Sequence, residues 1–197
     1  MIATGRAERT REALIDATVA ALREDGNFTT EQVADAAGVS VATVYNRVPE
    51  GRDGLLAAAL DRALARLVAV MAGTLDVEHL LDDGLECVVG ALVDGLVEVF
   101  DREALVLRSA LARLPESRLL RDSYRHREAE ARELNRRFVE LGQAAGLIGA
   151  GDPDELADAL VVLCQGLNNP VLLGHHDRRA LTARLSAAMV ALLSLPT

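Results

Sequence analysis

The chain has 197 residues, half of them hydrophobic, enough to bury a core in one large domain or in a small domain fused to a larger one. Its net charge of -9 excludes a protein that coats nucleic acid or an anionic membrane by bulk electrostatics, but leaves room for a local site. Every basic residue is Arg, so any phosphate contact must come from Arg, from a polar side chain or from the backbone. Aromatic residues are 3% and Trp is absent, while Ala, Leu, Val, Arg and Glu fill long stretches, which favours an all-α fold. No basic start leads into an apolar run at the N-terminus, and no apolar segment reaches the ~18 residues that span a bilayer. The expectation is a cytoplasmic protein with no membrane partner. Cys87 and Cys164 then read as small hydrophobes rather than a disulfide.

The first helix is expected over Thr10 to Arg23, with Leu14, Ala17, Val19, Ala21 and Leu22 on one broad face and Gly26 at its stop. Thr29 and Gln32 then form a capping box, with Phe28 stapled onto Val33, for a second helix running to about Ala37. Gly38 ends that helix. Ser40 caps a third, with Val39 and Val44 as its staple, and Pro49 closes it. Two capped helices around so short a glycine-containing turn are the sequence form of a helix-turn-helix.

The run FTTEQVADAAGVSVATVYNRVPEGRDGLL, residues 28–56, resembles the DNA-binding segment of the TetR/AcrR transcriptional regulators. Ala34, Gly38, Val39, Ser40, Thr43, Val44 and Tyr45 stand where that pattern wants them, and the first helix precedes them at the usual distance. The likeness covers about residues 8–60. It departs at Arg47 and Val48, where the family usually carries other residues, in a shortened loop before Thr29, and at Arg52 in place of a common Lys.

The resemblance implies a helix-turn-helix DNA-binding domain over residues 1–52 and a helical ligand-binding and dimerisation domain over residues 53–197. The third helix has small or polar tips where such motifs enter a major groove: Ser40, Val41, Ala42, Thr43, Tyr45, Asn46 and Arg47. Thr29, Tyr45 and Arg52 are placed to hold phosphates, and Arg6, Arg9 and Arg11 to reach DNA from an N-terminal arm. Residues 1–52 carry six Arg against eight acidic residues, so affinity must come from geometry rather than overall charge.

Beyond Arg52, an amphipathic connector helix is expected from Asp53 to Ala72, ending at Gly73. Val77, Leu81, Leu85, Val88, Leu92 and Leu96 form a stripe that Leu80, Val89, Val93, Val97 and Phe100 widen into an enclosed central helix. A further helix runs from Glu103 to Leu114. A long one follows from Glu116 to about Ala145, with Leu120, Tyr124, Ala131, Leu134, Phe138 and Leu141 in line. On that stripe an inward residue is needed between 124 and 131, and spacing leaves Arg127 or Glu128. One reading has the Arg127 stem covering apolar surface while its head escapes to water or pairs with a neighbouring acid such as Glu130 or Glu98. The other places Arg127, with Tyr124, Glu98 and Asn168, inside a mostly apolar pocket for a largely hydrophobic ligand with one polar or anionic end.

The last two helices, Pro153 to Asn168 and Arg178 to Leu193, are more apolar than one bundle needs. The first is read with Leu156, Leu160, Leu163, Cys164 and Leu167 facing one way, the second with Leu181, Leu185, Ala188, Met189 and Leu192 doing so. The resemblance implies that they pair with their copies in a homodimer. Catalytic motifs are not found: there is no phosphate loop, nucleophile elbow or zinc-protease pair, and His175, His176 and Asp177 read as plain surface rather than a metal trio. The expectation is therefore no enzyme, no cofactor and no metal, but a repressor. It binds a pseudo-palindromic double-stranded DNA operator as a homodimer and is released by a small-molecule effector. The alternatives are a helical enzyme with a helix-turn-helix-like segment, and a dimeric DNA-binding regulator with no ligand.

Overall fold

The structure, a computed structural model, describes residues 2–194, and among them every regular element is a helix. In chain order these are α1 (Ile2–Asp25), α2 (Thr30–Ala36), α3 (Val41–Arg47), α4 (Gly51–Thr74), α5 (Val77–Asp83) and α6 (Leu85–Arg113), followed by α7 (Arg118–Ala144), α8 (Pro153–Gly166), α9 (Pro170–Leu173) and α10 (Arg178–Leu193). The contacts divide the chain into two compact units. One holds the chain up to Leu64 together with Glu103–His126, and the other holds Ala65–Arg102 with the chain from Arg127 onward. The boundary expected between residues 52 and 53 lies in the first turn of α4, whose Leu55, Leu56, Ala59 and Leu60 are buried.

In the first unit, Leu14, Ile15, Val19 and Leu22 of α1, Phe28, Val33 and Ala34 around α2, Val44 of α3 and Val48 after it all lie in the core. Burying each large apolar side chain contributes about 1.5–3 kcal/mol. Local chemistry sets the entry of both short helices. Thr29 Oγ1 accepts from the Gln32 amide at 3.2 Å while Gln32 Oε1 accepts from the Thr29 amide at 2.8 Å, and Ser40 Oγ accepts from the Thr43 amide at 3.2 Å. Gly38, at φ 67°, makes the turn between them. The first helix begins well before Thr10, so Arg6, Arg9 and Arg11 stand on α1 rather than on an extended arm; nothing in the residues before Thr10 breaks a helix strongly enough to start it later. The α6 segment of this unit holds α1 at its C-terminus. Arg23 donates to the buried Glu103 through Nε, at 3.2 Å to Oε2, and through Nη2, while the Ser109 hydroxyl donates to the Gly26 carbonyl. At the other end of that segment Arg121 donates to the Leu114 and Pro115 carbonyls, both at 2.8 Å, and so closes the carbonyl end that Pro115 leaves open.

In the second unit two helix boundaries differ from expectation. The stripe from Val77 to Phe100 is broken at Gly84, where φ is 83°, so α5 and α6 are separate helices. No break follows Phe100. Asp101 and Arg102 are compatible with a helix, and α6 continues to Arg113. On α8 the inward face is Ala157, Leu160, Val161 and Cys164, with Leu167 beyond it, whereas Leu163 is 38% exposed and Val162 67%. On α10 the buried positions are Thr182, Met189 and Leu193, and the expected stripe of Leu181, Leu185 and Leu192 is only half-buried. Burial pushes the Cys164 thiol up to about 12, so it is a neutral core group at physiological pH. Arg132 of α7 bonds Asp158 of α8 and holds that carboxyl below its ordinary value. This link is complete above the ordinary carboxylate range and is lost as the pH falls through the lowered value.

Candidate nucleic-acid interface

Helix α3 turns one residue inward and the rest outward. Val44 is fully buried, Val41 and Thr43 are half-buried, and Ser40, Ala42, Tyr45, Asn46 and Arg47 are exposed. The outward set is small and uncharged until the last turn, which is what lets a helix approach base edges without burying an unpaired charge. Ser40 and Thr43 share one hydrogen bond at 2.9 Å between their hydroxyls, so the pair has one proton left to present outward. The Thr29 hydroxyl accepts in its capping box and keeps its own proton for an external acceptor such as a phosphate oxygen.

Tyr45 and Arg52 are positioned by contacts that residue spacing did not reveal. The Tyr45 ring lies over the first residue of α4: a Cβ added to Gly51 would sit 2.7 Å from Tyr45 Cε1, and Gly51 has φ 58°. Glycine is required there twice, for the backbone conformation and for the close approach. Arg52 donates from Nε to the Phe28 carbonyl at 3.3 Å and from Nη2 to Asn27 Oδ1 at 2.7 Å, with its guanidinium 5.1 Å from the Phe28 ring centroid. It ties the α1–α2 loop to the start of α4 and has Nη1 left for an external acceptor. Gly51→Ala is therefore expected to displace the Tyr45 ring. The protein should melt about 2–8 °C lower, from the strain of a left-handed alanine. A Gly51→Ala protein that melts as the wild type does would show that this conformation carries no strain.

The four residues expected to hold a ligand are distributed between the units, Tyr124 in the first and Glu98, Arg127 and Asn168 in the second. Glu98 is exposed, pairs with Arg102 at 2.7 Å, and lines a shallow surface depression with Val97, Asp101 and Arg178. Arg127 is half-buried with its Nη1 2.9 Å from Glu130 Oε2, one of the pairings that its stem-covering alternative allows. Asn168 is half-buried just past α8, its backbone N–H donating to the Gln165 carbonyl at 3.1 Å. Tyr124 is half-buried on α7.

A polar residue that the spacing passed over is Asn135. The predicted stripe put Leu134 inward, but Leu134 is half-buried and Asn135 is 0% exposed. The spacing of Ala131, Asn135 and Phe138, four then three residues, was the signal for it. Asn135 Nδ2 donates to the Ala131 carbonyl at 2.8 Å and lies 4.0 Å from Met71 Sδ, while its Oδ1 has no partner. A buried acceptor left so costs about 1–3 kcal/mol. Among the described residues no group of His, Cys, Asp and Glu is arranged to hold a metal ion, and no helix is long and apolar enough to cross a membrane.

No protein-family profile and no curated protein matches the sequence. Solved structures do. The chain is similar to a TetR transcription regulator from Haloarcula marismortui ATCC 43049, at 21% identity and a TM-score of 0.76 over 94% of this chain and 98% of that one. It is also similar to a putative TetR-family transcriptional regulator from Rhodococcus sp., at 23% identity and a TM-score of 0.72 over 95% and 100%. A third is RolR in complex with its ligand resorcinol, at 20% identity and a TM-score of 0.59 over 98% and 91%. The fold is that of these regulators: an N-terminal helix-turn-helix followed by further helices.

Proposed function

We propose that this chain is a TetR-type transcriptional regulator, a repressor that binds a pseudo-palindromic operator as a homodimer and leaves it when a small, largely hydrophobic effector binds. The observation that carries the reading is α3, with Val44 buried beneath it and Ser40, Ala42, Tyr45, Asn46 and Arg47 presented outward on a doubly capped helix-turn-helix. A packing unit with no partner has no need of an outward face so free of bulky charge before its last turn. Dimerisation is supported by the exposed Val162 and Leu163 of α8 and by the line of exposed Ala180, Ala183, Ala187 and Ala191 on α10, which lets another helix come close. The effector step is supported by the fold shared with a protein bound to resorcinol, and Glu98, Arg127 and Asn168 of the second unit remain its candidate contacts. The effector can shift DNA affinity by no more than its own preference for the released state.

The test is selection of bound sequences from random DNA. A palindrome with half-sites about one helical turn apart is expected, and no enrichment would overturn the reading. With that operator in hand, Tyr45→Ala should weaken binding about tenfold or more for every sequence alike, whereas Asn46→Ala or Thr43→Ala should change which base is preferred. A Tyr45→Ala protein that alters preference without a uniform loss would reverse the assignment of these roles.

A further inference from the structure

The buried carbonyl of Asn135 is the group in the second unit with the least structural reason to be polar. Its amide cannot be turned round to relieve the unpartnered oxygen, because Oδ1 would then face the Ala131 carbonyl, acceptor against acceptor. A leucine of similar size would pack in its place and leave nothing unsatisfied. Its neighbours are suited to an incoming molecule. Ala131 is small, and Met71, from α4, is an unbranched thioether that repacks at little penalty. On α7 the same face carries Phe138 and Val139, both buried, so whatever meets Asn135 meets an apolar surround.

We propose that Asn135 is the polar anchor of an effector site between α4 and α7, and that the effector is a neutral, mostly apolar molecule carrying an O–H or N–H donor. Resting on the reading of the chain as a ligand-responsive regulator, this replaces a generic polar or anionic end with one chemistry. An anion would meet the negative end of the carbonyl dipole. A permanent cation would be buried against a neutral partner only. A hydroxyl or an N–H satisfies the orphan acceptor and leaves no charge behind.

The experiment uses the full-length protein with phenol and 1-naphthol, their methyl ethers anisole and 1-methoxynaphthalene, and the carboxylates benzoate and 1-naphthoate. The phenols are expected to raise the melting temperature of the wild type more than their ethers do, and the carboxylates to leave it unchanged. Asn135→Leu should melt about 2–4 °C higher without any probe and respond equally to phenol and anisole. Should that variant fold poorly, the Asn135 side-chain amide resonances of the wild type provide the second measurement, moving with phenol and not with anisole. A wild type without donor preference, or an Asn135→Leu protein that retains it, overturns the proposal. Operator binding in the presence of the same probes separates the two readings. Donor-selective binding at Asn135 with no change in DNA affinity keeps the anchor and removes the sensor. DNA release that persists in Asn135→Leu keeps the sensor and removes the anchor.

Discussion

Replacing Val162 and Leu163 together with Glu is expected to yield a folded monomer whose operator affinity is about 10²–10⁴ lower than that of the wild type. Val162 is 67% exposed and Leu163 38%, so neither change opens the core of its own subunit, and helical content should be retained. In a two-fold dimer each substitution enters twice. Four apolar side chains, each worth about 1.5–3 kcal/mol when buried, are exchanged for carboxylates that resist desolvation. Two half-sites held on one dimer bind as a linked pair, and a monomer forfeits that linkage. Sedimentation gives the oligomeric state and operator titration the affinity. Leu160→Glu is a useful contrast, because Leu160 is 1% exposed and the charge would unfold the subunit rather than separate two of them. A double variant that still sediments as a dimer and binds operator normally would move the interface elsewhere.

What could be read from the sequence divides by range. The capping box of Thr29 and Gln32, the turn at Gly38 and the Ser40 cap all act within four residues, and each is found as its side-chain chemistry requires. Helical faces are less secure, because one residue of error still satisfies a period of 3.6. That is how Leu134 stood in for Asn135, and how Leu163, 38% exposed, was placed with the buried Leu160 and Cys164. The break at Gly84 was hidden by an apolar stripe that continues on both sides of it. Contacts between distant residues were not legible at all. Arg52 is held by Asn27 and Phe28, some two dozen positions away, and Arg23 by Glu103, eighty positions away, and nothing in local spacing selects one carboxylate among thirty acidic residues.

Arg23→Ala is expected to be the most damaging single change in the first unit that removes no core side chain. Glu103 is 1% exposed, and both of its oxygens receive Arg23, whose own side chain is 35% exposed. Removing the exposed partner leaves a carboxylate that the fold has already taken out of water. Breaking such a pair costs about 3–5 kcal/mol. Because Glu103 makes further contacts, the low end applies, and the melting temperature should fall by about 6–12 °C. The same loss is not expected from Glu103→Gln combined with Arg23→Ala, where no charge remains buried, and the double variant should recover most of the difference. The comparison separates desolvation from packing. If the Arg23 stem mattered by covering apolar surface, the double variant would be no better than the single one. An Arg23→Ala protein melting within about 2 °C of the wild type would mean that the other contacts of Glu103 suffice and that Arg23 contributes little to the fold.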